Sequence, residues 1–208
     1  MAGATRPRQP RGGNQPRAEQ TRQMVIDETV RYILDEGFAA PSVRRITKRA
    51  GVTWGVVQYH FGDLGGLLIA VVDEGFRQLT ETLDGLPESI GHLSVAERTQ
   101  MVVDAAWSAF SSPTSMAAIE ILISTRAGRD DAVNKRLAHA MRQLTDLGRH
   151  LGEGLDPQHA TEIGNLIWAS LRGIVVAQLI SSTPLDSSRD RRALTDVLTA
   201  YVLAQGGR

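Results

Sequence analysis

The run Thr53-Trp-Gly-Val-Val-Gln-Tyr-His60 puts two kinds of side chain at helix spacing. Val57 and Phe61 repeat at i,i+4 and make an anchoring side. Trp54, Gly55, Val56, Gln58, Tyr59 and His60 remain for an outward face. That outward set has the chemistry to read a duplex. Gln58 can pair bidentately with an adenine N6/N7 edge and Val56 can touch a thymine methyl. Tyr59 and His60 can donate to phosphate oxygens. Trp54 is read first as a packing residue, and Gln58 is equally readable as a solvated helix residue. Just upstream, Arg44, Arg45, Lys48 and Arg49 gather on the outer side of a short helical segment opened by Ser42. With no acid expected beside them, at least two of these four cations are assigned to phosphate, against the plainer reading of a solvated face.

These residues need elements to hold them. From Arg17 the pattern is helical, with Ile26, Val30, Ile33 and Leu34 on one face and Asp27–Arg31 and Arg31–Asp35 as i,i+4 pairs. Gly37 ends that helix. Val43, Ile46 and Ala50 form the inner face of a second, which Ser42 caps after Pro41. Gly51 breaks it, and Thr53 caps a third helix running to about His60. Three helices within about 45 residues, the last two joined at a glycine, make a helix-turn-helix pattern. A groove about 12 Å wide admits one such helix.

The rest of the chain also reads as helix. Glycines 62, 65 and 66 precede a fourth helix ending near Leu83, and Ser94-Val-Ala-Glu97 is a capping box opening a fifth. Pro113, Gly128, the Gly152–Pro157 stretch and Pro184 divide the remainder into about four more. No sustained period-two alternation appears, so an all-α fold is expected. The segment from Pro157 to about Ser181 is apolar on more than one stripe: Ala160, Ile163, Ile167, Leu171 and Ile174, but also Leu166, Trp168, Val175 and Leu179. Such a helix must be covered on two sides. The last helix, about Ser188 to Ala204, carries Leu194, Val197, Leu198, Tyr201 and Val202. Together these two can bury one side in their own chain and the other in a second copy. Trp107, Phe110, Met116, Ile119, Ile121, Leu122, Met141 and Trp168 are candidates to line an apolar cavity, or plain core. Glu120, Arg126, His139 and His150 are candidates to orient a ligand, or surface groups.

The 208 residues carry no net charge, but the balance is split. Residues 1–60 hold 10 Arg/Lys against 5 Asp/Glu, and residues 61–208 hold 13 against 18. A basic end on an acidic remainder fits a polyanion-binding head on a body that does not bind polyanions. The absence of cysteine excludes disulfides, thiolate metal sites and cysteine nucleophiles. The apolar runs Leu67 to Val72 and Gly173 to Ile180 fall short of the about 18 residues of a membrane span. With no signal-like start, a cytoplasmic protein without membrane association is expected. Residues 1–18, Arg- and Pro-rich and free of acids, read as a disordered basic arm. No His-Glu-x-x-His, carboxylate cluster or phosphate loop is visible, and the histidines at 60, 92, 139, 150 and 159 are scattered. Neither an enzyme nor a cofactor or metal site is expected. The alternative to DNA binding is a helical interaction protein whose basic head takes a non-DNA partner.

The run Ala50-Gly-Val-Thr-Trp-Gly-Val-Val-Gln-Tyr-His-Phe61, preceded by Ser42-Val-Arg-Arg-Ile46 and followed by Leu67-Leu68, resembles the tetracycline-repressor (TetR) family of transcriptional regulators. The resemblance covers roughly residues 22–72. It implies a helix-turn-helix domain over residues 19–66 and a helical effector-binding and dimerisation domain over 67–208. It implies that Ser42 caps the second helix and touches phosphate, and that Arg44 and Arg45 lie near DNA. Thr53, Trp54, Gly55 and Val56 would open the recognition helix, and Gln58, Tyr59 and His60 would complete the contacts. The partners implied are double-stranded DNA with a palindromic operator, a small effector, and a second copy held through the helices at about 157–181 and 188–204; the apolar richness of the body favours an effector of hydrophobic or amphipathic character. The function implied is a ligand-released regulator, usually a repressor. Two departures stand out. Gln58 replaces the usual Tyr, and Leu64 stands where the family often has a phosphate-clamping Lys. Arginines of the arm are expected to compensate, and the Gly62–Gly66 joint is expected to serve as the place of tilt.

Overall fold

The computed structural model describes residues 15–37, 42–84, 92–128 and 157–206, with isolated positions between 131 and 155. Among the described residues every regular element is a helix. They are α1 (Gln15–Glu36), α2 (Val43–Ala50), α3 (Trp54–Phe61), α4 (Leu64–Asp84), α5 (Val95–Phe110), α6 (Pro113–Ser124), a 3-10 turn (Arg126–Gly128), α7 (Pro157–Ile180) and α8 (Ser188–Ala204). Described residues between 131 and 142 are helical and exposed.

The ends of these helices follow local chemistry. Helix α1 begins at Gln15, so residues 15–18 of the expected disordered arm are helical. Pro16 is tolerated there because a first-turn residue needs no N–H donor. Residues 1–14 and Asp156, which precedes α7 in sequence, lie outside the described residues. Gly51 closes α2 at φ 64. Its N–H donates to the Lys48 carbonyl, and Val52 N–H donates to the Thr47 carbonyl at 3.0 Å. This left-handed cap is the turn between α2 and α3. The capping box of α5 is present: Ser94 Oγ accepts from Glu97 N at 3.3 Å and Glu97 Oε2 accepts from Ser94 N at 2.8 Å. The two i,i+4 pairs expected on α1 are not the pairs that form. Arg31 instead meets Glu28 at 2.6 Å, Asp27 accepts from Gln23 at 3.0 Å, and Asp35 reaches across to α2. Spacing alone leaves these alternatives open, because i,i+3 serves as well as i,i+4.

Two apolar clusters hold the chain. The head cluster joins Val25, Ile26, Ile33, Ile46, Val57, Leu67 and Val71, and it includes Ala117, Ala118 and Ile121 of α6. The body cluster joins Val102, Val103, Ala106 and Phe110 with Ile163, Ile167, Leu171, Val175, Leu198 and Val202. Helix α4 runs through the expected division at residue 66, and its Leu67, Leu68, Ala70, Val71 and Val72 belong to the head cluster. Helix α6 touches both clusters, with Met116 and Ile119 turned to the body. Its crossing with α4 is close: a Cβ on Gly75 would stand 3.0 Å from Ala118 Cβ. By length and composition alone, helix α7 is long and apolar enough to cross a membrane, with Glu162 and Arg172 as its charged residues. Its inner face packs in the body cluster.

Candidate nucleic-acid interface

Helix α3 is fixed from within. Val57 is fully buried, Phe61 is buried, and Trp54 packs half-buried on the head cluster. Thr53, Gly55, Gln58 and Tyr59 are exposed, while Val56 and His60 are half-buried beside them. The backbone of both helix starts has N-cap geometry, with Ser42 at φ −90, ψ 110 and Thr53 at φ −86, ψ 160. Neither side chain makes a capping hydrogen bond. Ser94 and Ser112, at α5 and α6, both do. Arg45 N and Val56 N already donate to the Ser42 and Thr53 carbonyls at 2.9 and 3.1 Å, so the first two amides of each head helix and the two capping hydroxyls are what these helix starts can offer an anion. Gly55 sits at the first turn of α3, where an added Cβ would meet only Thr53 Oγ1 at 3.7 Å. Among the described residues, no neighbour of Gly55 requires a glycine there.

The corner between α3 and α4, where tilt is expected, is closely built. Gly62 turns the chain at φ 83, Asp63 Oδ1 accepts from Gly66 N at 2.8 Å, and a Cβ on Gly66 would fall 2.0 Å from the Phe61 carbonyl oxygen. Gly66 permits a backbone-to-backbone approach, and Asp63 caps α4. Gly62, Asp63 and Gly66 thus form a close-packed corner between α3 and α4. Leu64 lies half-buried against the head cluster, so it offers no donor to a phosphate. Arg22 of α1 stands at this end of α3, its guanidinium 5.5 Å from the centre of the Phe61 ring. Burial, then the Arg22 charge, holds His60 below the ordinary histidine value.

The basic side of α2 divides into two stripes. Arg44 and Lys48 are exposed, and among the described residues neither has an ion-pair partner. Arg45 and Arg49, by contrast, are engaged. Arg45 bonds Glu36, and Arg49 meets Asp35 at 2.6 Å, with Glu28 and Glu36 each at 3.7 Å. The expectation that no acid lies nearby is therefore corrected. The acids come from α1, well back in sequence, and reach α2 only through the packing of the two helices. A hydrogen bond to Tyr32, then Glu36, raises the Arg45 guanidinium above its ordinary value, and a hydrogen bond to Asp35 does the same for Arg49.

In the body, the fold brings together five of the expected cavity residues. Trp107, Phe110, Met116, Ile119 and Trp168 all contact the body cluster. The Phe110 and Trp168 ring centres are 4.9 Å apart. Arg191 lies 4.9 Å over Trp107 and Arg172 lies 5.0 Å over Trp168. Ile121 and Leu122 pack instead with the head. Glu120 lies at the far end of α1, where its Oε1 would be 3.8 Å from a Cβ on Gly37. Arg126 and His139 are exposed, and Met141 and His150 lie outside the described residues. Sequence reasoning missed two buried charges. Arg98 is fully buried on α5, in helical phase with Val95 and Val102. Glu74 is buried on α4, where hydrogen bonds from Arg77 hold its carboxyl below the usual range. Among the described residues no group of three side chains fit to hold a metal occurs. On the outside of α7 and α8, Leu166, Ile180, Val197 and Leu203 are exposed, with Ala169, Gly173, Ala177, Ala193 and Ala200 alongside.

Comparison with known proteins adds an independent line. Residues 25–71 match the family model of bacterial regulatory proteins, tetR family. Over 190 residues the chain is 25% identical to the HTH-type transcriptional regulator BetI of Escherichia coli O17:K52:H18 (strain UMN026 / ExPEC), covering 88% of this chain and 92% of that one. Two solved structures share the fold at lower identity. The TetR family transcriptional regulator PfmR from Thermus thermophilus superposes with a TM-score of 0.64 at 14% identity, over 85% of this chain and 97% of that one. The transcriptional regulator FadR from Bacillus subtilis, solved with stearoyl-CoA, gives 0.63 at 16% identity, over 86% and 98%.

Proposed function

We infer that this chain, a member of the tetR family of bacterial regulatory proteins and a helix-turn-helix transcriptional regulator, binds a palindromic operator as a homodimer and is released by a small apolar effector. One observation carries the DNA half of this reading. Helix α3 is anchored by Val57 and Phe61 while Thr53, Gly55, Gln58 and Tyr59 face water. In this assignment Gln58 and Val56 read base edges, and Thr53, Tyr59, His60, Ser42 and Arg44 hold phosphates. Trp54 positions the start of α3 from inside. The exposed cations Arg44 and Lys48 supply the salt-dependent part of the affinity.

The homodimer rests on the outer faces of α7 and α8. Their small and apolar residues can pack against the same faces of a second copy around a two-fold axis. Such a dimer presents two α3 helices to half-sites about 34–36 Å apart. The effector is assigned to the body aromatics, Trp107, Phe110 and Trp168, with Met116 and Ile119 of α6 beside them. The similarity to FadR, solved with stearoyl-CoA, supports an apolar or amphipathic class. Helix α6 couples the two ends, since it touches both clusters and crosses α4 closely at Gly75. An effector that fits better when α6 is displaced shifts the population to a form whose α3 helices no longer match the operator. Repression is the sign of regulation this release mechanism fits, and a cytoplasmic location goes with it.

The test is titration of the full chain with duplex DNA at several salt concentrations, after selection of bound duplexes from a random pool. A preferred palindrome, with affinity falling steeply as salt rises, is expected. Binding without salt dependence, or without preference for any duplex, overturns the reading.

A further inference from the structure

We propose that Arg49, with the α1 carboxylates Glu28, Asp35 and Glu36, forms a brace that sets the angle of the recognition helix, so that Arg49 is a positioning residue for operator binding and not a phosphate ligand. The proposal rests on the DNA-binding reading above. Arg49 stands at the last turn of α2, just before the glycine that leads into α3. Asp35 holds its guanidinium at 2.6 Å, with Glu28 and Glu36 at 3.7 Å. The same group lies 6.0 Å from the centre of the Tyr32 ring. Tyr32 is itself buried, and its hydroxyl accepts from the Ser42 N–H at 3.4 Å, at the opposite end of α2. Arg45 reaches Glu36 from the middle. One patch of α1 therefore ties both ends of α2.

An isolated exposed ion pair contributes little to stability. This one differs because a planar guanidinium fork meets three carboxylates at once and is backed by a buried aromatic ring. The charge balance also turns Arg49 away from DNA. Glu28, Asp35 and Glu36 face Arg31, Arg45 and Arg49. That leaves no surplus positive charge, and a phosphate approaching Arg49 would meet three negative groups. Arg44 and Lys48, i,i+4 on the neighbouring stripe, keep their charge for the duplex. Alignment matters most where base edges are read. Phosphate contacts tolerate a tilted helix, but bidentate base contacts do not.

The experiment compares the full-length protein with Asp35→Asn, Arg49→Met and the double variant. Binding is measured on the selected operator and on a random duplex, each across a salt series, with thermal unfolding alongside. Each single change should lower operator affinity by about tenfold, and the double should be no worse than either. Random-duplex affinity and the salt slope should stay at wild-type values. Arg44→Met should instead weaken both duplexes and reduce the slope by about 1. A slope reduced by Arg49→Met would make Arg49 a phosphate ligand and overturn the proposal. Tighter binding by Asp35→Asn would overturn it too, by making the carboxylate a competitor of DNA. Equal losses on both duplexes with a matching fall in thermal stability would reduce the brace to a plain structural contact. Absence of any duplex preference in the wild-type protein is a separate result, which removes the underlying reading itself.

Discussion

Two surfaces of this chain are open to water in different ways. The outer face of α3 shows hydroxyls, an amide and a glycine, with helix starts whose caps are not closed by their own side chains. The outer face of α7 and α8 shows Ile180 at 81% exposure, Val197 at 59% and Leu203 at 57%. A polar face exchanges one set of hydrogen bonds for another when its ligand leaves, at small net cost. An exposed apolar face marks an interaction site, and uncovering it again would return apolar area to water at about 25 cal/mol per Å². The first surface suits a partner that comes and goes, and the second suits one that remains. A regulator needs both, because release from DNA has to leave the assembly that senses the effector intact.

The largest expected effect comes from breaking the permanent side. Val197→Glu places a charge at the centre of the α8 outer face, away from either buried cluster. The helices should keep their circular-dichroism signal while sedimentation reports a single subunit. Operator affinity should fall by about 100-fold or more, since one short helix reads only half a palindrome. A Val197→Glu protein that still sediments as a dimer would dissolve the contrast between the surfaces. The next effect sharpens the reversible side. Gln58→Ala should remove about 1–3 kcal/mol of discrimination at one base pair and leave the others as they were. Selection from a random pool before and after the change locates that base pair. A uniform loss at every position would move Gln58 from base readout to packing.

The difference between the two surfaces also marks what the sequence made legible. Periodicity carried the anchoring residues Val57 and Phe61, the two-sided character of α7 and the Ser94–Glu97 capping box, because each is a relation within one helix. Relations between helices were not legible. The acids that engage Arg45 and Arg49 lie on α1, and only the packing of α2 against it brings them within reach. The need for Gly66 follows from the Phe61 carbonyl, which stands where a Cβ would fall and which no propensity scale contains. Leu122 stands with Met116 and Ile119 among the cavity candidates, each three residues from the next. Each step of three drifts about 60° around α6, so Met116 and Ile119 pack on the body cluster while Leu122 turns to the head.

A smaller expected effect separates folding from binding at His60. Burial, and then Arg22, lowers its folded value below the ordinary 6.5. The unfolded chain therefore binds more protons in the window just below 6.5, and stability is lost as pH falls through it. A phosphate beside His60 acts the other way, favouring the charged ring, so affinity for DNA should rise as pH falls, by no more than about tenfold over that window. Thermal unfolding and duplex titration at matched pH values should slope in opposite directions. His60→Gln should flatten both. Parallel slopes would place His60 in the core of the head and not at the duplex.

The smallest change tests whether α3 is shaped for itself or for its ligand. Glycine in a helix costs about 0.5–1 kcal/mol relative to alanine. At Gly55 the protein offers ordinary contact to an added Cβ, with Thr53 Oγ1 at 3.7 Å as its neighbour. Gly55→Ala should therefore raise the unfolding free energy of the head by up to about 1 kcal/mol. The same methyl projects from the first turn, where the backbone must come closest to a phosphate or base edge, so duplex affinity should fall. Opposite signs for stability and affinity are what a surface built for a departing partner would show. At Val197 the apolar face should instead lose assembly and stability together. If Gly55→Ala improved both folding and binding, α3 would not approach DNA by its first turn, and the polar face would have to be reassigned to the end of the helix near Tyr59 and His60.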